Sequence, residues 1–282
     1  MSSENILYEK KEKVVRISLN RPDKLNALND ALLQEFDAAL DKAQEDPEVT
    51  AVIIKGNGRA FCSGYDVSGE GTAETDFDFR SQTDVTELFK TQRRRQESLA
   101  KLARFPKSTI AQVHGYCLEM GCYLVMACDI SFATEDAQFG DPSVRMGLTT
   151  DMPFWYHLLG VRKAKELLLT GKTIDGKEAE RIGLITKAVP ADLLEQEVDE
   201  MALTVSLTPF DGLTNNREGF QTGIDARGMA EGWRSSSDRR VFGLLQRPGS
   251  RSGEFNFLEV RDKRGLKAAL KEMNAPYQKY GY

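Results

Sequence analysis

The residues placed to do chemistry in this chain gather at turns. From Ser108 to Asp151 it reads STIAQVHGYCLEMGCYLVMACDISFATEDAQFGDPSVRMGLTTD. TIAQVHG is a β-branched, apolar run that reads as a strand closed by glycine; YCLEMG reads as a tight turn and CYLVMACD as a short apolar helix. Strand, sharp turn and helix N-terminus in that order present free backbone N–H groups with the positive end of the helix dipole behind them. Such a place suits an anion or a developing oxyanion. A second sharp turn, GNGRAFCSGYDV, has glycines at 56, 58 and 64 and follows the apolar run TAVIIK.

Metal and disulfide chemistry have little to work with. Only His114 and His157 could offer imidazole, and the cysteines (Cys62, Cys117, Cys122, Cys128) match no zinc spacing. Four cysteines in 282 residues are too few for a disulfide scaffold, and three fall in or beside segments expected to be buried, where the reduced thiol packs as a small apolar group. No apolar run approaches the about 20 residues that span a bilayer, and MSSENILYEKKEK lacks the apolar core of a signal peptide. A net charge of −5 argues against nucleic acid as a partner. The one basic run, Gln92 to Gln96, lies in a helical pattern and reads first as a solvated face, second as an anion site. These features describe a soluble, cytoplasmic, reduced protein with no metal and no membrane partner.

The elements that must position the turns are legible in part. VVRISLN at 13–19 and TAVIIK at 50–55 read as strands, the second so apolar that both sheet faces must be covered. Between them Asn29 or Asp30 can cap a helix running to about Gln44, with Leu32, Leu33, Phe36, Ala39 and Leu40 on one face. Strand, helix, strand in this rhythm is a crossover unit of an α/β fold. Residues 69–80 are acidic and aperiodic and read as a loop; an amphipathic helix follows from about Asp84 to Arg104. After Asp151, helical patterns cover 152–159, 161–170 and 175–182, and ITKAVP at 185–190 is a short strand. Helical patterns then fill 191–206, 209–223, 229–245 and 258–273, which suggests a core over 1–207 and a C-terminal helical region over 208–282.

Four stretches then align in order: LNRPDKLNAL at 19–28, IIKGNGRAFCSGYDV at 53–67, HGYCLEMGCYLVMACDISFATEDAQFGDPSVRMG at 114–147 and GVRKAKELLLTGKTIDGKEAERIGLITKAVP at 160–190. Together they resemble the crotonase (enoyl-CoA hydratase/isomerase) superfamily. The resemblance implies a spiral of β-β-α turns with a C-terminal helical trimerisation region, in trimers or hexamers. It implies an acyl-coenzyme A thioester substrate, with coenzyme A as part of the substrate and no separate cofactor, and an enolate held by two backbone N–H groups. Carried onto this chain, those donors are the N–H of Tyr65 and of Met120, each at a glycine-flanked turn. Lys24, Ala27, Ser63 and Asp66 fall where the family lines the coenzyme; for Asp66 the plainer reading is a turn cap.

The chain departs from the family where hydratases place two glutamates, which are here Tyr123 and Ser143. Tyrosine titrates near pH 10 and serine is no acid, so paired-carboxylate hydration is not expected. Glu119 and Met120 replace two glycines of the family's turn. Asp151 is then the leading catalytic carboxylate, as base or nucleophile, because other branches of the superfamily carry a working aspartate in this neighbourhood; the plainer reading is a helix N-cap. Tyr123 either donates a hydrogen bond into the pocket or packs there. Glu119 reads as solvent-facing or else as a pocket acid. His114, His157 and Arg145 read as structural, with Arg145 placed to pair with Asp141 or Glu119 or to meet an acidic substrate group. The expectation is an acyl-CoA-transforming enzyme doing isomerisation, hydrolysis, carbon–carbon cleavage or dehalogenation. The alternatives are an acyl-CoA-binding protein without catalysis and a hydrolase of a free diketone.

Overall fold

A computed structural model describes residues 5–68, 85–149, 153–245 and 253–280. The order is β1 (Ile6–Lys11), β2 (Val14–Leu19), α1 (Asp30–Glu45), β3 (Ala51–Gly56), β4 (Ala60–Cys62), α2 (Val85–Ala103), β5 (Ser108–Val113), β6 (Tyr116–Leu118), α3 (Met120–Ala127), β7 (Ile130–Thr134) and β8 (Gln138–Gly140). Then come α4 (Phe154–Thr170), α5 (Gly176–Arg181), β9 (Lys187–Val189), α6 (Leu194–Ser206), α7 (Phe210–Ala226), α8 (Met229–Leu245), α9 (Phe257–Arg264) and α10 (Leu266–Gln278).

The large sheet runs β1-β2-β3-β5-β7-β9, parallel except for the β1–β2 hairpin, and a small parallel sheet runs β4-β6-β8. Three successive circuits, β3-β4-α2, β5-β6-α3 and β7-β8-α4, each give one strand to the large sheet, a short one to the small sheet, then a helix. This is the mixed α/β spiral expected from the resemblance. The apolar run in β3 alternates between two layers, as strand periodicity requires. Val52 and Ile54 join the main core with Phe36 and Leu99, while Ile53 joins Ile110, Phe132, Val198 and Ala202 under α6. The cap expected at Asn29 is present: its side chain accepts from Leu32 N–H at 2.9 Å.

Several expectations need correction. The turn YCLEMG contains a strand, β6, and the strands β1, β4, β7 and β8 lie outside the expected ones. The helix expected over 258–273 is two helices, because Gly265 (φ 86°, ψ 161°) turns the chain between α9 and α10. The patterns 152–159 and 161–170 are joined in α4 across a break at Gly160. In the basic run, Gln92 and Arg95 are buried rather than solvated, and Arg95 Nε donates to Asp30 at 2.9 Å. The acidic loop 69–80 and Asp151 lie outside the described residues. Among the described residues, no helix is long and apolar enough to cross a membrane.

The C-terminal helices return to the core. Helix α8 lies along α2, and α10 meets the turn at Pro142–Met146 through Arg145. Arg145 donates to the Thr170 carbonyl (2.9 Å) and to Asn274 (2.8 Å) and lies 4.1 Å from the centre of the Tyr277 ring. It pins α10 to the core and contacts neither Asp141 nor Glu119, the partners considered for it.

Candidate active site

The two turns singled out in the sequence meet. Strand β4 ends at Cys62, and the following turn is fixed to the stretch before α1 by Ser63 N–H to Leu25 O (3.0 Å), Leu28 N–H to Gly64 O (2.8 Å) and Asp66 N–H to Leu28 O (2.9 Å). Buried Asn26 ties the same stretch to the carbonyls of Asn57 and Ala60 at 2.9 and 2.8 Å. With its neighbours so bound, the Tyr65 N–H points across to the other turn. Strand β6 ends at Leu118, Glu119 N–H donates to Gly140 O at 2.8 Å, and α3 starts at Met120. That helix reaches β4 closely because residue 121 is glycine: a Cβ there would stand 2.6 Å from the Cys62 carbonyl oxygen.

The N–H groups of Tyr65 and Met120 converge on one atom, Glu119 Oε2, at 3.0 and 2.8 Å. The other oxygen, Oε1, accepts from Arg240 Nη2 at 3.3 Å, while Arg240 Nη1 donates to the Thr149 carbonyl at 2.9 Å. Glu119 and Arg240 are 7% and 1% exposed, so this ion pair is shielded from bulk water. The solvent-facing reading of Glu119 is therefore corrected, and it is the anion in the cradle. Its backbone is unusual for a side-chain-bearing residue, at φ 48°, ψ −113°. Two cations lie near the Tyr65 ring, with the guanidinium carbons of Arg95 and Arg240 at 5.1 and 5.7 Å from its centre.

Tyr123 and Ser143 share a second carboxylate. Asp141, 1% exposed, accepts Tyr123 Oη at 2.6 Å, Ser143 N–H at 3.1 Å, and the Ser143 hydroxyl in a very short contact. Both hydroxyls thus serve as donors to one buried acid. Tyr123 is fully buried on α3, edge-on to Trp155 at 6.5 Å.

A cleft of about 790 Å³ opens above the cradle. Lys24, Ala27, Ser63, Asp66 and Ser143, all singled out in the sequence, line it together with Tyr65 and Glu119, whereas Tyr123 does not reach its surface. Val67, Met146 and Leu148 give it an apolar stretch; Leu266, Leu270 and Met273 of α10 close one side. Asp66 acts as the turn cap considered for it, accepting from Ser68 N–H (3.1 Å) and Oγ (2.7 Å), and it pairs with Arg21 at 3.0 Å. Burial alone would raise its pKa, but the Ser68 bonds and Arg21 outweigh it and hold the carboxyl below its ordinary value.

The histidines lie apart from the cradle. His114 Nε2 is 2.8 Å from the Gly58 carbonyl, and His157 stacks on Tyr156 at 4.6 Å, its pKa lowered by burial and by Arg227. Cys62, Cys117 and Cys122 are buried free thiols, and burial pushes those of Cys62 and Cys117 up. Among the described residues, no cluster of three or more His, Cys, Asp or Glu could hold a metal ion. Sequence reasoning missed Arg240 altogether, and took Asp141 only as a partner for Arg145. Arg240 is distant in sequence and sits in a helix with no motif. Asp141, two residues before Ser143, could have been found from the Asp-x-Ser spacing, which favours a side-chain bond back to the backbone.

The sequence model of the enoyl-CoA hydratase/isomerase family matches residues 9–263. A probable enoyl-CoA hydratase of Mycobacterium bovis is 38% identical over 209 residues, covering 73% of this chain and 77% of that protein. A crotonyl-CoA hydratase of Syntrophomonas wolfei is 33% identical over 274 residues, covering 93% and 97%. The crystal structure of an enoyl-CoA hydratase/isomerase from Xanthobacter autotrophicus Py2 superposes with a TM-score of 0.85 at 30% identity, covering 98% of this chain and 99% of that one.

Proposed function

The chain belongs to the enoyl-CoA hydratase/isomerase family of enzymes, and from that premise we propose that it binds an acyl-CoA thioester in the cleft and stabilises the thioester enolate. The observation that carries this reading is the meeting of Tyr65 N–H and Met120 N–H at one oxygen atom. A carboxylate oxygen held there stands in for the enolate oxygen, which carries a similar charge. Each such donor contributes about 2.7–4 kcal/mol of transition-state stabilisation in enzymes that use them. Lys24, Ala27, Ser63 and Asp66 run along the cleft as the coenzyme wall, with coenzyme A entering only as part of the substrate.

The reaction is not two-glutamate hydration. Tyr123 and Ser143 both donate to Asp141, so neither position offers a carboxylate to water. Asp151 serves as base or nucleophile in this reading, which rests on its sequence position alone, and Tyr123 orients Asp141. A single carboxylate suits isomerisation, hydrolysis, carbon–carbon cleavage or dehalogenation. The site is part of a cytoplasmic homotrimer or hexamer. Exposed apolar side chains on and before α7 support this, among them Leu207 at 84% and Phe220 at 72%.

Titration with crotonyl-CoA beside a hydration assay tests the reading. Binding with negligible hydration, and turnover of some other thioester in a broad panel, is the expected result; fast hydration overturns it. One observation favours a second reading, an acyl-CoA-binding protein without catalysis: the cradle already holds Glu119. Tight binding with no turnover of any thioester selects that reading. Failure to bind any CoA ester selects a hydrolase of a free diketone.

A further inference from the structure

Asp141 is a buried acid to which the reading above gives no chemistry. It follows β8 and caps the turn Pro142–Met146 by accepting from Ser143 N–H at 3.1 Å. An asparagine would cap that turn equally well, so a carboxylate only 1% exposed is more than the turn requires. Its two oxygens have different partners. Oδ2 accepts the hydroxyl of Tyr123, which does not reach the cleft, at 2.6 Å. Oδ1 accepts both the N–H and the hydroxyl of Ser143, which lines the cleft. With its hydrogen directed at Oδ1, the Ser143 hydroxyl has lone pairs left to offer elsewhere. One hydroxyl thus links the cleft wall to a buried carboxylate.

Resting on the thioester reading above, we propose that Ser143 and Asp141 form a proton relay between C2 of the bound acyl chain and the interior. The C2–H bond breaks, its electron pair passes into the thioester, and the proton goes to Ser143 Oγ. In the same step the original Oγ proton passes along the existing hydrogen bond to Asp141 Oδ1. The serine ends neutral and Asp141 ends as the carboxylic acid, so no co-reactant is consumed. The return runs through the same bonds in reverse: Asp141 gives its proton to Oγ, and Oγ gives its own to carbon. Ser143 is the group that touches substrate, and Asp141 acts through it. Tyr123, by holding Oδ2, keeps Oδ1 turned to Ser143. The pair is a second proton carrier, additional to Asp151, at a position where the sequence offers no carboxylate.

Deuterium uptake at C2 of butyryl-CoA in heavy water, followed by NMR beside a calorimetric titration of the same full chain, tests the relay. The unaltered chain is expected to catalyse uptake. Ser143→Ala removes the hydroxyl, and Asp141→Asn keeps an acceptor for the turn but cannot hold the proton. Each is expected to slow uptake about 100-fold or more, with ester affinity unchanged. The double variant should be no slower than the slower single one, because the two groups act as a unit. No uptake by the unaltered chain, a smaller loss in either variant, or a double variant slower than both overturns the proposal and leaves the thioester reading standing. A loss of ester affinity in Ser143→Ala also overturns it, marking that hydroxyl as a binding group. Failure of the unaltered chain to bind the ester overturns the thioester reading itself, and the relay with it. Should Asp141→Asn not fold, Ser143→Ala decides the question by uptake against affinity.

Discussion

Replacing Glu119 by alanine or by glycine removes the same carboxylate, so the two variants lose the same partners: the N–H groups of Tyr65 and Met120 and the Arg240 guanidinium. Both should be less stable than the parent. Breaking one side of a buried ion pair costs about 3–5 kcal/mol. The low end applies here, since the cleft brings water to the vacated amides and Arg240 keeps its bond to the Thr149 carbonyl. The difference between the variants is more informative than either loss. At φ 48°, ψ −113° alanine retains a backbone strain of about 1–3 kcal/mol that glycine escapes. Glycine gives up about 0.5–1 kcal/mol of that through its freer unfolded chain. Its better fit as a helix N-cap works in its favour by a smaller amount. The glycine variant should therefore be the more stable of the two by roughly 1 kcal/mol. Urea unfolding at one protein concentration, with equal slopes, reads the difference from the midpoints. An alanine variant as stable as the glycine variant would show that residue 119 is not held in this backbone conformation. Glu119 would then not be held in the cradle against local strain.

Other perturbations address neighbouring parts of the site. Asp151→Asn should abolish turnover and leave CoA-ester binding largely intact; a wild-type rate on the true substrate would refute its role. Gly64→Ala, which pushes a Cβ to 2.9 Å from Glu119 at φ +97°, should cost about 1–3 kcal/mol, read as a lower unfolding midpoint, and an unchanged midpoint counts against the packing described. Asp141→Ala removes the carboxylate bonded to the buried Tyr123 hydroxyl and should cost about 1–3 kcal/mol, whereas a loss below measurement would mean that water replaces the carboxylate. Because the Asp66 carboxyl sits below its ordinary pKa, its contribution is fully present above the unfolded value, near pH 3.9, and is lost as pH falls through the folded value. Asp66→Asn should therefore flatten stability against pH in that acidic window; an identical profile would remove Asp66 from the account.

How far the sequence revealed this molecule depended on the range of the forces involved. Strand β3 was legible because both its faces are buried over AVII, which makes that run apolar throughout. Helix α1 was legible because Asn29 caps it locally. The small sheet was not, since strands of three residues such as β4 and β8 leave no period to read. The break at Gly265 was hidden because the residues on both sides of it are helical, so 258–273 read as one helix. At the site, Tyr65 and Met120 could be named through the family resemblance, which carries two backbone donors onto turns that glycines flank. Glu119 could not be placed, since its orientation is decided by Arg240, 121 residues away, and by the space left at Gly64. The sharing of Asp141 by Tyr123 and Ser143 is likewise a product of α3 meeting the turn after β8, which no local pattern encodes.

The proposed role of the Tyr65 and Met120 amides is to hold a thioester oxygen. A crystal structure with butyryl-CoA, a saturated ester without a double bond to hydrate, tests it most directly. The thioester oxygen is expected within hydrogen-bond distance of both N–H groups, at the position now held by Glu119 Oε2, with the Glu119 side chain moved off the cradle. An ester bound elsewhere in the cleft, with Glu119 still accepting from both amides, would contradict it.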